Sequence, residues 1–267
     1  MTQTRPSARP RLAILGMLGL LAALSAADAK ELGPILSEGF KDDFQHKGLD
    51  NRRWYISDGW SNGDWMDCTW SRKAVKLSEG MLRLSHIPDN PSKDEPPLCG
   101  EVQTNGFIHY GTIEARIGTP RGPGLNASVF TYAGPVHGVS HDEIDIEILT
   151  RSPDEVALNT YVDGKPVNGL TVPVDPPLDR DFHTVALRWE PDSITWYIDG
   201  QEVHRTAPDS VLPNHPQKIY MSFWSTTTLT DWMGEQEPRT EPLIYDIDWL
   251  AYTPLDQSCL FPESITC

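Results

Sequence analysis

Basic residues are scarce in this sequence. Its 267 residues include 22 lysines and arginines against 38 aspartates and glutamates, which gives a formal net charge of −16 at pH 7. Proteins that bind nucleic acid or an anionic membrane surface need a basic face. The charge balance therefore argues against both kinds of partner. It is compatible with a neutral polymer as the ligand and disfavours a densely anionic one.

A second long hydrophobic run is also missing. The single long apolar stretch, residues 12–27, follows three arginines and precedes small residues, which is the order of a secretory signal peptide. Its length of about 16 residues is short for a membrane span, which needs roughly 20. We therefore expect residues 1–29 to be a signal peptide cleaved after Ala27 or Ala29. Residues 30–267 are expected to form one secreted or periplasmic domain, monomeric and without membrane contact.

Cysteine is limited to four residues, and the sequence has no Cys-x-x-Cys pair and no histidine cluster with zinc-ligand spacing. In an exported chain, four cysteines fit two disulfides better than a metal site. Three pairings are possible, and the sequence alone does not choose among them. Proximity along the chain favours Cys68 with Cys99 and Cys259 with Cys267.

Helical periodicity is absent over any convincing length after about residue 38. Short alternating or β-branched runs predict strands instead, among them residues 81–85, 185–189, 194–198 and 220–224. Asp163-Gly164 and Asp199-Gly200 stand between such runs and predict two-residue hairpin turns. The proline-rich stretches 88–97 and 173–177 predict surface loops, and no linker or repeat is visible. One many-stranded β-sandwich with jelly-roll topology is the expected architecture.

The most informative strand spans residues 141–149, with sequence HDEIDIEIL. Because strand side chains alternate, Glu143, Asp145 and Glu147 share one face, while the isoleucines between them share the other and enter the core. An ordinary strand with a solvated acidic face would have the same pattern, and three carboxylates also suit a calcium ion.

Catalysis by paired carboxylates is the sharper hypothesis for this strand. Positions four residues apart are roughly 13 Å apart at Cα, and Glu143 and Glu147 can lean together toward the 5–5.5 Å or so that a retaining glycosidase needs. Asp145 can hydrogen-bond a neighbouring carboxyl. Like charges at close quarters force their titrations apart and keep one group protonated near neutral pH. One strand would thus supply both a nucleophile and an acid.

Aromatic residues in loop-like segments indicate a cleft beside this strand, since aromatic faces with a few polar groups can hold a sugar ring. Several tryptophans occur there with asparagine and aspartate: Trp60, Trp65, Trp70, Trp224 and Trp232, with Asn62, Asp64, Asp67 and Asp231. We predict substrate contact for Trp60, Trp224 and Trp232, and core packing for Trp189, Trp196 and Trp249.

The sequence EIDIE at residues 143–147 resembles the signature of glycoside hydrolase family 16, in its form without an extra bulge residue. Further segments match the family in order over nearly the whole mature chain: 57–63, 68–70, 99–101, 110–114, 130–135, 159–161, 182–184 and 231–234. The resemblance implies an all-β, concanavalin-like jelly roll in which two antiparallel sheets form a substrate cleft. It also implies retaining hydrolysis without a required cofactor.

Residue roles follow from the same resemblance. Glu143 would be the nucleophile, Glu147 the general acid/base, and Asp145 a residue that tunes the pair. The family's cysteine pairing supports Cys68–Cys99, and Asp248 matches a carboxylate ligand of a structural calcium found in some members. The cleft contacts carried over are Trp60, Asn62, Glu101, Phe130, Tyr132, Asn159, Tyr161, Trp224 and Trp232.

Three cleft positions depart from the pattern of bacterial lichenases: Gln103 stands where they have Arg, His141 where they have Trp, and Ser222 where they have Asn. The variants resemble instead the endo-1,3-1,4-β-glycanases that depolymerise succinoglycan, which share the Cys259–Cys267 tail. We therefore expect an endo-acting enzyme on a β-1,3/1,4-linked bacterial exopolysaccharide, with Gln103 and His141 among its cleft residues. A mixed-linkage β-glucan hydrolase, a transglycosylase and a non-catalytic, lectin-like protein are the alternatives.

Overall fold

The computed structural model describes residues 32–89 and 95–267, so the predicted signal peptide lies outside the described residues. Within them, seventeen strands form two sheets that are antiparallel except for one two-residue strand. The strands are β1 Phe40–Asp42, β2 Trp54–Ile56, β3 Thr69–Trp70, β4 Val75–Ser78, β5 Met81–His86, β6 Leu98–Thr104, β7 Gly111–Gly118, β8 Leu125–Ala133, β9 Asp142–Leu149, β10 Glu155–Val162, β11 Lys165–Pro166, β12 Leu170–Pro173, β13 His183–Trp189, β14 Ile194–Ile198, β15 Gln201–Arg205, β16 Lys218–Ser225 and β17 Leu243–Thr253.

The two sheets have simple strand orders. One runs β15-β14-β13-β7-β17-β5-β4, with β1 on β17. The other runs β11-β10-β9-β8-β16-β6-β2, with β12 on β10 and β3 parallel to β6. Helical structure in the described residues is confined to Arg72–Ala74, Pro135–His137 and Thr230–Met233. The expected all-β sandwich is confirmed. None of the described helices has the length and apolar character that crossing a membrane requires.

Strand alternation builds the core between the sheets. In β9, Ile144, Ile146 and Ile148 are at most 2% exposed and belong to one large apolar cluster with residues of both sheets. Each such side chain contributes roughly 1.5–3 kcal/mol by leaving water. Because the isoleucines face the core, the carboxylates between them face outward from the sandwich. The strand lies between β8 and β10, well inside its sheet.

Both predicted hairpin turns are confirmed. Asp163 and Gly164 have φ values of 50° and 74°, and Asp199 and Gly200 have 49° and 75°. Positive φ at both central residues is the mark of a type I′ turn, whose twist suits flanking strands. These turns join β10 to β11 and β14 to β15.

Two local predictions differ from the structure. Trp189 and Trp196 are fully buried as expected, but Trp249 is only half-buried, because it packs edge-on against Phe261 of the C-terminal tail at 5.1 Å. Pro173, predicted in a loop, is the last residue of β12, which pairs only with β10. A proline is tolerated there because an edge strand leaves one side without ladder hydrogen bonds.

Both disulfides favoured by proximity are present. Cys68–Cys99 closes a sequence separation of 31 residues and Cys259–Cys267 one of 8. The Cys68–Cys99 bridge is buried in a small cluster with Met66, Trp70 and Trp224, next to the outward face of β6 and β16. It therefore ties a loop that carries predicted cleft residues to the sheet.

Removing the longer bridge is expected to cost more stability than removing the shorter one. On the chain-entropy treatment, replacing Cys68 and Cys99 by alanine lowers the free energy of unfolding by about 3–4 kcal/mol, against about 2–3 kcal/mol for Cys259 and Cys267. Urea unfolding of the two double variants measures both values. An equal or larger loss in the tail variant would contradict the assignment of the main covalent restraint to Cys68–Cys99.

Candidate active site

The three carboxylates of β9 lie on the outward face of the sheet, and the strand register determines what stands beside each one. Glu143 and Glu147 are half-buried, whereas Asp145 between them is only 3% exposed. Their cross-strand neighbours are Tyr132 and Tyr161 for Glu143, Phe130 and Asn159 for Asp145, and Ser128 and Ala157 for Glu147. Predicted cleft residues thus flank Glu143 and Asp145 on both sides, whereas neither cross-strand neighbour of Glu147 was predicted.

Asp145 is the most buried of the three. Desolvation raises its pKa well above the usual range, and the charges of Glu143 and Glu147 and a hydrogen bond to Glu143 add to this effect. Its Oδ2 has no hydrogen-bond partner among the described residues. A neutral Asp145 can donate a proton in a hydrogen bond to Glu143, so the group between two glutamates is suited to carry a proton rather than a charge.

Glu147 is the second carboxyl group of this row with a raised pKa. Burial raises its pKa to about 7; a hydrogen bond from Asn126 opposes this rise, and the charge of Glu143 adds to it. The bond runs from Asn126 Nδ2 to Glu147 Oε1 at 2.7 Å. A carboxyl group with a pKa near neutrality can give up a proton and take it back at physiological pH.

Glu143 is more exposed than Asp145, since 20% of its side chain is accessible to solvent. Its Oε2 is 2.6 Å from Nε2 of His141, which precedes the strand by one residue. The structure therefore brings His141, which the sequence assigned to the cleft, into direct contact with Glu143.

A fourth carboxyl group lies on the same face, on β6, which is separated from β9 by β8 and β16. Glu101 of β6 is 5% exposed, and Ser57 Oγ donates to its Oε1 at 2.5 Å. Burial raises the pKa of Glu101 to about 7, against the effect of the Ser57 hydrogen bond and with a contribution from Glu143. Ser222 of β16 lies between Glu101 and the carboxylates of β9, because it pairs across strands with Glu101 of β6 on one side and with Ser128 of β8 on the other.

Polar side chains continue along this face. The Oε1 atom of Gln103 accepts hydrogen bonds from Lys218 Nζ at 3.1 Å and from the Tyr220 hydroxyl at 3.2 Å. Ser128 and Ser222 are hydrogen-bonded to each other at 2.8 Å. Where the lichenase pattern has Arg, this chain has Gln103, whose amide oxygen is hydrogen-bonded by its neighbours. Where the pattern has Asn, this chain has Ser222, whose hydroxyl is hydrogen-bonded to that of Ser128.

Aromatic residues flank the carboxylates on several sides. Phe130 stacks on Tyr220 with centroids 4.9 Å apart. Trp224 is only 8% exposed and packs against Trp65 at 4.8 Å and Trp232 at 6.2 Å.

The loop before β3 holds two of the predicted contacts, Trp60 and Asn62. Trp60 is 39% exposed and stacks on Tyr55 at 6.2 Å. Asn62 accepts a hydrogen bond from Trp70 Nε1 at 3.0 Å, so its side chain helps to fix the loop. Trp60 therefore offers a ring face to solvent, while Asn62 and Trp70 hold each other.

A cavity opens beside Glu147, on the side of β10. Its volume of about 540 Å³ falls within the range of roughly 300–1,000 Å³ that is usual for small-molecule sites. Asn159, Tyr161 and Trp232 line it together with Glu147. The Oδ1 atom of Asn159 is buried without a hydrogen-bond partner in the described residues, which suits it to accept from a ligand hydroxyl.

Two residues that the sequence did not predict form hydrogen bonds to carboxyl groups of the site. Asn126, 21 positions before Glu147, and Ser57, 44 positions before Glu101, each donate to a carboxyl oxygen. The sequence does contain a signal for Asn126. Ala127 and Val129 of β8 face the core, so Asn126 lies on the opposite face of the strand, together with Phe130. Ser57 gives no such signal, since only the pairing of β2 with β6 brings it to Glu101.

Asp248 lies in the other sheet, on β17. Arg116 Nη1 donates to its Oδ2 at 2.7 Å. Calcium takes 6–8 oxygen ligands, and a carboxylate already neutralised by a guanidinium group fits such an ion poorly.

Comparison with known proteins agrees with this geometry. Residues 62–251 match the model of the family described as glycosyl hydrolases family 16. The chain is 41% identical over 230 residues to the endo-1,3-1,4-beta-glycanase ExoK of Rhizobium meliloti, covering 86% of this chain and 84% of that protein. It is 35% identical to a beta-glucanase of Bacillus subtilis, covering 91% of this chain and 96% of that one.

A solved structure gives the same result for the fold. A beta-1,3-1,4-glucanase (lichenase) derived from a mouse hindgut metagenome superposes with a TM-score of 0.76 at 35% identity, over 82% of this chain and all of the other. Family 16 glycosidases need no cofactor for catalysis. The outward row of carboxylates, the two-sheet fold and the match over most of the sequence lead to one conclusion: this chain belongs to glycosyl hydrolase family 16 and is a glycosidase.

Proposed function

We propose that this chain is an exported, endo-acting, retaining β-glycanase in which Glu143 is the nucleophile and Glu147 the general acid/base. The observation that carries the proposal is the row Glu143, Asp145, Glu147, in which the last member has a pKa of about 7 and a hydrogen bond from Asn126. A double-displacement glycosidase requires two carboxyl groups, and the one that acts as general acid must hold its proton near neutral pH.

The reaction proceeds in two steps. In the first, a Glu143 carboxylate oxygen bonds to the anomeric carbon while the glycosidic C–O bond breaks, and Glu147 gives its proton to the departing oxygen. In the second, Glu147 removes a proton from water, the water oxygen bonds to the anomeric carbon, and the ester bond to Glu143 breaks. Asp145, protonated, donates to Glu143 and limits the charge in the row.

The substrate is proposed to be a β-1,3/1,4-linked polysaccharide, with a bacterial exopolysaccharide such as succinoglycan favoured over mixed-linkage β-glucan. The support is the identity to the Rhizobium meliloti endo-1,3-1,4-beta-glycanase, together with Gln103, His141 and Ser222 on the cleft face. The cavity lined by Asn159 and Trp232 lies beside Glu147, where the leaving portion of the chain is protonated.

A panel of polysaccharides tests this proposal. Reducing ends released from succinoglycan, barley β-glucan, laminarin and carboxymethyl cellulose are measured with the wild type, and early products are sized. We expect large oligosaccharides first, as endo cleavage requires, and the highest kcat/KM on succinoglycan. Proton NMR of the first product should show the β anomer. A first product with the α anomer would contradict the retaining mechanism, and growth of oligosaccharides beyond the starting length would indicate transglycosylation.

Export is proposed on two grounds. Disulfides persist in oxidising compartments, and the two present here close without a free cysteine among the described residues. Residues 1–29 have the composition of a signal peptide. A mature protein beginning at residue 28 or 30, read by mass spectrometry from periplasm or medium, is the expected result. Calcium binding at Asp248 is not part of the proposal, because Arg116 already pairs with that carboxylate, and no step of the proposed reaction passes through a metal.

A further inference from the structure

His141 lies immediately before β9 and shares the outward face of that strand with the carboxylates. Its Nε2 is 2.6 Å from Glu143 Oε2. Side chains two positions apart in extended backbone point the same way, so this contact follows from the local sequence once the segment is extended. An ionised carboxylate has no proton to donate. In the proposed reaction Glu143 is the ionised nucleophile, so the imidazole is the donor there, with its proton on Nε2.

Two aromatic rings hold the imidazole in place. It stacks on Tyr161 with centroids 5.2 Å apart and an interplanar angle of 15°, and Tyr132 meets it edge-on at 5.1 Å. Tyr132 and Tyr161 are also the cross-strand neighbours of Glu143. A donor packed between fixed rings loses little freedom when it engages its acceptor, so it can hold the carboxylate in one orientation.

The backbone at this point is held as firmly as the ring. The carbonyl oxygen of His141 accepts from Gly164 N at 2.8 Å, within the type I′ turn after β10. The next residue, Asp142, is 1% exposed, and its Oδ2 accepts from the backbone nitrogens of Asn214 at 2.9 Å and His215 at 3.1 Å. Contacts from two separate segments therefore fix the start of β9.

We propose that His141 is a positioning residue for the nucleophile: its Nε2–H holds Glu143 Oε2 and directs the other carboxylate oxygen, Oε1, at the anomeric carbon. In the first step Oε1 forms the bond to that carbon and the electron pair of the broken C–O bond leaves with the oxygen that Glu147 protonates. Oε2 becomes the carbonyl oxygen of the ester and still accepts from His141. In the second step the carboxylate departs, and the same hydrogen bond stabilises its returning charge.

This inference rests on the proposed role of Glu143 and deepens it. The alternative is that His141 serves only as a ring against which a sugar packs. The two readings differ in what each substitution removes. His141→Phe keeps a ring between Tyr161 and Tyr132 and removes the donor. His141→Gln removes the ring and keeps an amide N–H that reaches about as far as Nε2.

For a positioning role, His141→Phe is expected to lower kcat about 10- to 100-fold on the best polysaccharide without raising KM, since misdirecting a reacting group costs about that much. His141→Gln should recover most of that loss. His204→Phe is the matched control, since His204 stacks on Trp196 at 5.4 Å in the other sheet and should leave kcat unchanged.

The opposite pattern would overturn the inference. If His141→Phe keeps wild-type kcat and KM while His141→Gln raises KM, the ring binds sugar and does not position Glu143. Circular dichroism and thermal unfolding of each variant exclude loss of fold as the cause. A wrong assignment of the nucleophile would give a different result. The Glu143→Gln variant would then be active, whatever kcat and KM the His141 variants show.

Discussion

Glu143→Gln is expected to lower kcat by about 10⁴-fold or more while leaving oligosaccharide affinity within a few-fold of the wild type. The amide has nearly the shape of the carboxylate but no negative charge and little nucleophilicity, so the covalent step fails while the cleft stays intact. Loss of a nucleophile in a concerted catalytic set has effects of this order. Reducing-end release measures kcat, and calorimetric titration with a product oligosaccharide measures binding.

Two further variants make this prediction specific. Glu143→Ala leaves space beside the anomeric carbon, so sodium azide should restore turnover of an activated aryl β-glycoside and yield the α-glycosyl azide. Glu155→Gln is the matched control, because Glu155 is an exposed glutamate at the start of the neighbouring strand β10 and should be fully active. Residual activity of Glu143→Gln within tenfold of the wild type would remove Glu143 from the role of nucleophile.

Glu147→Gln is expected to lower kcat/KM on polysaccharide by about 10²–10⁴-fold, the usual contribution of general acid–base catalysis. On an aryl glycoside with a very acidic leaving group, the first step should be nearly unaffected, because that group departs without a proton. A burst of released phenol followed by slow turnover is the expected signature, since the second step still needs a base. Equal losses on both kinds of substrate would contradict the assignment.

The pH profile follows from the same group. Since burial raises the pKa of Glu147 to about 7, the acid is protonated below that pH, and wild-type kcat/KM should fall as pH rises through about 7. The hydrogen bond from Asn126 lowers this pKa, so Asn126→Ala should move the fall to higher pH. The pKa of Glu101 is also raised to about 7, which makes Glu101→Gln the necessary comparison. The fall should persist in that variant and vanish in Glu147→Gln.

Much of the fold and the position of the site followed from local pattern. The alternation of isoleucine and carboxylate in residues 143–148 predicted which side of β9 enters the core, and the burial of Ile144, Ile146 and Ile148 confirms it. The two Asp-Gly pairs predicted hairpins because few other dipeptides accept positive φ twice. Trp249 is different, because its half-buried state depends on the C-terminal tail packing over it, a contact without any local signal.

The sequence by itself determined that Glu143, Asp145 and Glu147 share one face, because strand alternation has a period of two and acts between neighbours in the chain. Only the tertiary structure decided which groups surround them. Asn126 reaches Glu147 and Ser57 reaches Glu101 through cross-strand register, which depends on the whole sheet. The raised pKa values of Asp145 and Glu147 likewise come first from desolvation, and desolvation exists only once distant strands and loops have closed around the carboxyl groups.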